Sequence, residues 1–336
     1  MALVQPELCA APEKIAAFCK FADEPDTYRV QCEDATVLEA LCALAHRHDK
    51  LSGAHCVRDH PHDAHVRFSI TRDELDAAVP RFDALIQNFT FESTNATECD
   101  VECASFLEAN VLRRSLLTMV DVLACTEVCV TKNTSNHEDW LVVHRCGQIA
   151  IVGERSTCAA TVHVVGRTAL GRDLRFTTDV RVADGDLDAP LLEMHAGQEF
   201  IGALKFQRGT PVSHARFHSS VSPSYRPDVR FSRAPTSEQR RRLWEYDIQE
   251  SNVCTRRDGR PCRAEVLREL DSGLPEIIFG PRVTVGVESF GQMPAAECAR
   301  RALKAARAES HAILNSIREC GTVARAAASG AGGAHR

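Results

Sequence analysis

Six histidines stand between positions 46 and 65: His46, His48, His55, His60, His62 and His65. Neutral imidazole is the commonest metal ligand among side chains, so this loop is the first place to look for a zinc-dependent reaction. No Cys, Asp or Glu joins these histidines at a fixed helical spacing, and a scattered tract is a weak metal signal. The stretch reads as a solvated, partly charged loop, with a metal-dependent enzyme using loop 46–65 kept as the alternative. The fifteen cysteines offer no better cage. No C-x2-C pair occurs, and the nearest spacings, Cys99 with Cys103 and Cys125 with Cys129, fall in strand-like runs. Cys254 and Cys262 have seven residues between them and Cys158 lies far upstream, too sparse for the four thiolates of a structural zinc site. Neither metal nor cofactor is expected.

Other reaction signatures are missing from the chain. Residues 166–171 hold glycines without a Walker lysine or a dinucleotide fingerprint, and there is no G-x-S-x-G and no H-E-x-x-H. Asp184, Asp186 and Asp188 resemble part of a calcium loop that lacks its closing glutamate, and read as a hairpin turn. What the sequence offers instead is display. Residues 109–114 (ANVLRR) place Arg113 and Arg114 together on a helix, where guanidinium forks suit carboxylates or carbonyls. Asn133, Thr134 and Ser135 follow, then residues 144–149 (HRCGQI) with His144 and Arg145. Such a set suits a surface that holds other proteins. Exposed arginine pairs are also often no more than a solvated face. His144, Arg145 and Gly147 fit equally a packed helix terminus or a loop placed for a partner. Trp140 is expected in the core, since amphipathic aromatics favour partly buried sites.

Length and charge bound the rest. At 336 residues the chain can hold two or three domains. Its 44% hydrophobic and 26% charged residues are ordinary for a soluble protein. A net charge of −6 and a pI near 6.2 argue against electrostatic DNA binding, which needs clustered Lys and Arg. No run approaches the roughly 18 apolar residues of a membrane span. The first residues, MALVQPE, have neither a basic start nor an apolar core, so a reducing, intracellular compartment is expected. Cys42, Cys125, Cys129 and Cys298 then read as small buried hydrophobes, and the sequons at Asn88, Asn95 and Asn133 as unmodified.

These residues must be carried by elements. Residues 27–33 alternate as a half-buried strand; Asp34 offers an N-cap to a helix over 35–47 with Val37, Leu38, Leu41, Leu44 and Ala45 on one stripe. Strand 65–70 leads to Thr71 and Glu74, a capping box for a helix through 87. That helix carries Leu75, Ala78, Val79, Phe82, Leu85 and Ile86 on one face, with a kink or restart expected at Pro80. A hairpin over 88–93 and 99–104, a helix over 107–120, a strand over 124–131 and a short helix over 137–145 follow. In that strand Cys125, Glu127, Cys129 and Thr131 alternate against Thr126, Val128 and Val130, and Gly147 is the expected cap of the short helix. From 153 to 275 the texture turns to strands at 160–165, 174–182, 200–206 and 215–220. Strand 283–289 then precedes a helix opened by Pro294 and running to about Ile317. After Arg325 mostly Ala, Gly and Ser remain, too little apolar surface to order a tail.

Taken together, residues 88–320 resemble the third-largest subunit of eukaryotic RNA polymerase II, the archaeal D subunit and, more distantly, the N-terminal domain of bacterial alpha. The matching stretches are 109–114, 133–135, 144–149, Gly197 to Glu199, 209–217 (GTPVSHARF) and 287–291 (VESFG). Residues 1–87 resemble its small partner, the eleventh subunit or archaeal L. The quotable stretches there are 12–15, 28–36 and His60 with Pro61. The resemblance implies an α+β fold: two alpha-like dimerisation units paired within one chain, plus an inserted mostly-β domain. The implied domains are 1–87, 88–154 with 276–320, the insertion 155–275, and a disordered tail 321–336. Fusion would hold the halves at about millimolar effective concentration, without a search step. The pairing helices would contribute Leu75, Val79, Phe82, Leu85 and Ile86 against Leu303, Ala306, Ile313, Leu314 and Ile317.

The implied job is non-catalytic assembly of a DNA-directed RNA polymerase, with nucleotidyl transfer left to two large catalytic subunits. Those subunits and small tenth- and twelfth-subunit-like proteins are the implied partners, with no sequence-specific nucleic-acid contact and no membrane. Arg113, Arg114, Asn133, Thr134, Ser135, His144 and Arg145 are the implied contact residues. The order of the fused halves points to a large DNA virus. Many relatives hold zinc or an iron–sulfur cluster in the insertion through closely spaced cysteines, which this chain lacks. An adaptor unrelated to transcription is the third reading.

Overall fold

A computed structural model describes residues 18–20, 26–31, 35–50, 52–58, 65–87, 89–93, 95–220, 223–231, 236–238 and 277–330. Helices mix with antiparallel sheets, an α+β architecture.

The first unit contains β1 (Phe18–Lys20), β2 (Thr27–Gln31), α1 (Thr36–His48), β3 (His55–Val57), β4 (His65–Ser69) and α2 (Arg72–Gln87). Its strands form a four-stranded sheet in the order β1-β2-β4-β3. Period two puts Tyr28 opposite Phe68 and Val30 opposite Val66, all four buried on the face that the helices cover. Ala35, with no side-chain cap bond, precedes α1; Asp34 lies outside the described residues. The capping box of α2 forms. The Thr71 backbone N–H donates to Glu74 Oε2 at 2.8 Å, and the Glu74 N–H donates to Thr71 Oγ1 at 3.2 Å. Pro80 does not restart the helix: α2 is one run with Pro80 on its exposed side. A mid-helix proline costs about 3 kcal/mol. The buried stripe of Leu75, Ala78, Val79, Phe82 and Leu85 holds the helix together through it.

The second unit repeats that plan. It holds β5 (Thr90–Ser93), β6 (Glu98–Cys103), α3 (Phe106–Thr118) and, from the far end of the chain, β15 (Ser224–Phe231), β16 (Ile277–Glu288) and α5 (Ala295–Gly330). The sheet order is β15-β16-β6-β5. Cys103, Val101 and Cys99 face Val283, Val285 and Val287 across the strand pair, and all six are buried. Helix α5 runs on through Gly330, past the Ile317 end read from sequence and into the stretch read as a disordered tail. Alanine has the highest helix propensity of any residue, and this Ala-rich segment continues the helix.

One continuous core joins the two units. Helix α2 packs on α1 and on α5, and α3 packs on α5 and on α1. Leu75, Val79, Phe82 and Leu85 share this core with Leu303, Ala306, Ile313, Leu314 and Ile317, and Ile86 packs half-buried against it. Polar pairs close its rim. Arg307 Nε and His311 Nε2 lie 3.0 and 2.9 Å from the Asp83 carboxylate oxygens, and Arg318 Nη2 donates to Asp76 Oδ1 at 2.7 Å.

A second core lies between β6–α3 and β15 in the chain. Its elements are β7 (Val122–Asn133), α4 (Asp139–Gln148), β8 (Ile151–Val152), β9 (Thr157–Val165), β10 (Ala169–Leu170), β11 (Arg175–Phe176), β12 (Arg181–Val182), β13 (Pro190–Leu192) and β14 (Glu199–Gly209). The main sheet runs β11-β9-β14-β7, with Val164, Val162 and Ala160 opposite Phe200, Gly202 and Leu204. The sequence boundaries at 154 and 275 move. Leu123, Cys125, Val142, Cys146, Ile149 and Ile151 belong to this second core, whereas β15 pairs with β16 in the sheet of the first.

Three local expectations are also corrected. Residues 174–182 hold two short strands rather than one, because β11 pairs with β9 and β12 with β8. Residues 215–220 are not a strand: Ala215–Phe217 is a 3₁₀ turn, and only Ser220 bridges to Ser289. Cys129 is exposed, unlike buried Cys42, Cys125 and Cys298. In the ladder with β14, Phe206 faces Cys125 and Lys205 faces Glu127, so Thr126 is bulged out. An extra residue turns the following side chains over. Val128 and Val130 therefore pack against the core and Cys129 points out.

Candidate partner-docking surface

Helix α3 starts at Ser105, whose side chain accepts from the Glu108 N–H. Its buried stripe of Ala109, Leu112, Ser115 and Leu116 leaves Arg113 half-buried and Arg114 exposed on the other side. Tyr225, on the neighbouring edge strand β15, organises this face. Its hydroxyl donates to Asn110 Oδ1 at 3.3 Å, and the Arg113 guanidinium sits 5.7 Å from its ring centroid. Phe106, 54% exposed, meets the same ring edge-on at 6.4 Å. Arg113 and Arg114 make no ion pair among the described residues. A cation stacked on an aromatic beside an unpaired cation leaves both forks for an incoming carboxylate.

Asn133, Thr134 and Ser135 turn the chain from β7 into α4. Asn133 Oδ1 accepts from the Ser135 N–H at 3.0 Å and the Ser135 hydroxyl at 2.7 Å. Asn133 Nδ2 donates to Asp139 Oδ1 at 2.8 Å, tying the turn to the first residue of α4. Thr134 Oγ1 accepts from the Glu199 N–H at 2.7 Å. These polar groups work inside the fold. The turn follows β7, a strand of 12 residues, at its end away from the α3 connection.

Helix α4 runs back along β7. Gly147 lies inside it, not at its cap, and Arg216 crosses there, its guanidinium 3.8 Å from where a Cβ at 147 would stand. Arg216 Nη1 donates to the Cys125 carbonyl at 2.6 Å, and its backbone N–H donates to His214 Nδ1 at 3.1 Å. Burial first, and then the Arg216 charge, push His214 below the ordinary imidazole range. Gly209 serves the same segment. A Cβ there would stand 2.7 Å from the Phe217 ring, so only glycine lets that ring close over the backbone. Arg145 Nη1 is buried without a hydrogen-bond partner.

His144, Gln148, His214, Arg216, Ser220 and Phe290 lie together around a pocket of about 830 Å³. Segments 144–149, 209–217 and 287–291, far apart in sequence, all contribute to its wall. Trp140 stands at its mouth, 64% exposed, with Nε1 donating to Glu138 Oε2 at 2.6 Å. The expected core position fails for a helical reason. Val142, Cys146 and Ile149 form the inward stripe, and Trp140 is two residues off it, on the opposite side. Tyr225 and Gln292 escaped the sequence reading, and Arg216 and Phe290 stood in matching stretches without a role of their own. For Phe290 a signal existed: Val283, Val285 and Val287 alternate inward, so an even position faces out.

No protein-family model matches the chain, and no curated protein matches it.

Among the described residues, no group of three His, Cys, Asp or Glu is placed to hold a metal ion. His46 Nε2 lies 2.6 Å from the Ala54 carbonyl and His55 Nδ1 lies 2.9 Å from that of Gly53, so both rings serve their own loop. His60, His62, Cys254 and Cys262 lie outside the described residues. No helix among the described residues is long and apolar enough to cross a membrane.

Proposed function

We propose that this chain is a non-catalytic assembly scaffold of a DNA-directed RNA polymerase, an alpha-like heterodimer folded from one polypeptide. The observation that carries the reading is the single core built by two similar units, each a four-stranded sheet covered by two helices. In this reading residues 18–87 are the small partner. Residues 89–121 with β15, β16 and α5 are the large partner, and the β7–β14 region is the mostly-β insertion. Two such units normally meet as separate chains, burying on the order of 1,600 Å² at a standard interface. Here the seam of α2 and α5 is intramolecular, and the outward faces are left for neighbours. Arg113 and Arg114, without an ion pair among the described residues, then serve as the anchor for an acidic segment of a large catalytic subunit. Small tenth- and twelfth-subunit-like proteins would complete the set, in a reducing compartment, with the source a large DNA virus.

The test is affinity purification of the tagged chain from its native cells, with mass spectrometry of what comes with it. Two large polymerase subunits are expected. The double substitution Arg113→Glu and Arg114→Glu should leave the circular-dichroism spectrum unchanged and reduce recovery of those subunits at least tenfold. Recovery of small, unrelated proteins alone would overturn the assignment in favour of a general adaptor.

A further inference from the structure

The pocket behind Trp140 holds groups that the fold leaves unsatisfied. Ser220 Oγ and Gln292 Oε1 are buried without hydrogen-bond partners, in residues only 3% and 9% exposed that line it. Such groups normally find a partner, because a buried donor or acceptor left unpaired destabilises the fold. Gln292 Nε2 already donates to the His218 carbonyl at 3.1 Å, so what remains is an acceptor awaiting an N–H. Arg216 forms no ion pair among the described residues, whereas the pocket's carboxylate, Asp186, accepts from the Ala150 N–H at 2.7 Å. Trp140, largely exposed, and Phe290, half exposed, also line it.

We propose that this pocket binds an extended acidic peptide segment of a partner protein. A carboxylate of the segment meets Arg216 and the Ser220 hydroxyl, a backbone N–H donates to Gln292 Oε1, and a bulky apolar side chain lodges between Trp140 and Phe290. The volume of about 830 Å³ falls within the range of ligand pockets. The source of the segment, a large assembly partner, rests on the scaffold reading; the pocket's chemistry does not.

The test is calorimetric titration of the full chain with a blocked tetrapeptide carrying glutamate beside phenylalanine. Control peptides carry lysine for the glutamate or alanine for the phenylalanine, and a short oligothymidylate serves as a nucleic-acid control. Each control should bind at least tenfold more weakly. Trp140→Ala and Phe290→Ala, both at exposed positions, should each weaken binding of the first peptide at least fivefold with unchanged thermal melts. Gln292→Leu should weaken it as well. No heat at millimolar peptide, equal binding of the lysine peptide, preference for the oligonucleotide, or indifference to Trp140→Ala and Phe290→Ala would each overturn the proposal. Failure here with large subunits still recovered from cells removes the pocket alone; loss of that recovery removes the scaffold reading.

Discussion

Single charged groups in this chain divide into those consumed by the fold and those it leaves over. Asp173 is consumed: it is almost buried, takes both arms of Arg167 at 2.6 and 2.8 Å, and accepts the Leu170 N–H at 2.9 Å. The Arg167 fork, above all, holds its carboxyl below the ordinary carboxylate range. A group depressed in this way stabilises the fold fully above its unfolded value, near 3.8, and loses that contribution as pH falls through the folded value. Asp173→Asn should therefore cost about 1–2 kcal/mol at neutral pH, discounted because Arg167 is half in water. Urea unfolding measures this, and the gap between variant and wild type should close as pH drops below 3.8. Glu154 belongs to the same class, held low chiefly by its bond to Arg301. Arg114 is the opposite case, a cation with no ion pair among the described residues.

Among elements, α2 shows most clearly what packing adds to local signals. Phe82 is fully buried at the seam between the two units. Phe82→Ala should cost about 3–5 kcal/mol. Because the core is continuous, probes on residues 36–48 and 295–317 should report one shared transition at a lower midpoint. Hydrogen exchange resolved by segment checks this. The same helix shows what was legible beforehand. Its Thr71 and Glu74 capping box and its stripe are local patterns, read correctly because cap and period depend on nearby residues only. Of the kink or restart expected at Pro80, the restart does not occur, because tertiary packing overrides a local penalty. Cys129 was misjudged because a bulge at Thr126 depends on the β14 partner 79 residues away. The pairing of β15 with β16, and with it the domain boundary, is likewise a non-local fact. Trp140 was legible in its own helical period, and Phe290 in the alternation of the strand that ends two residues before it; the pocket that unites them was not.

At the scale of the whole molecule, the hinge of the arrangement is the short connection between α2 and β5. A protease site introduced at residue 88 and then cut should leave the two pieces together through the α2–α5 seam. Size-exclusion chromatography at micromolar concentration should show one peak containing both, and separation into two would rule out a shared core. The bond network around Glu154 extends this unity outward. Arg208 of β14 and Arg301 of α5 share its carboxylate at 3.0 and 2.7 Å, fastening the second core to the long helix. When complementary halves come from separate genes, their supply can fall out of balance and leave orphans exposing sticky helical stripes to degradation or clumping. A polypeptide that carries both halves and seals them against each other makes them one for one at every level of synthesis.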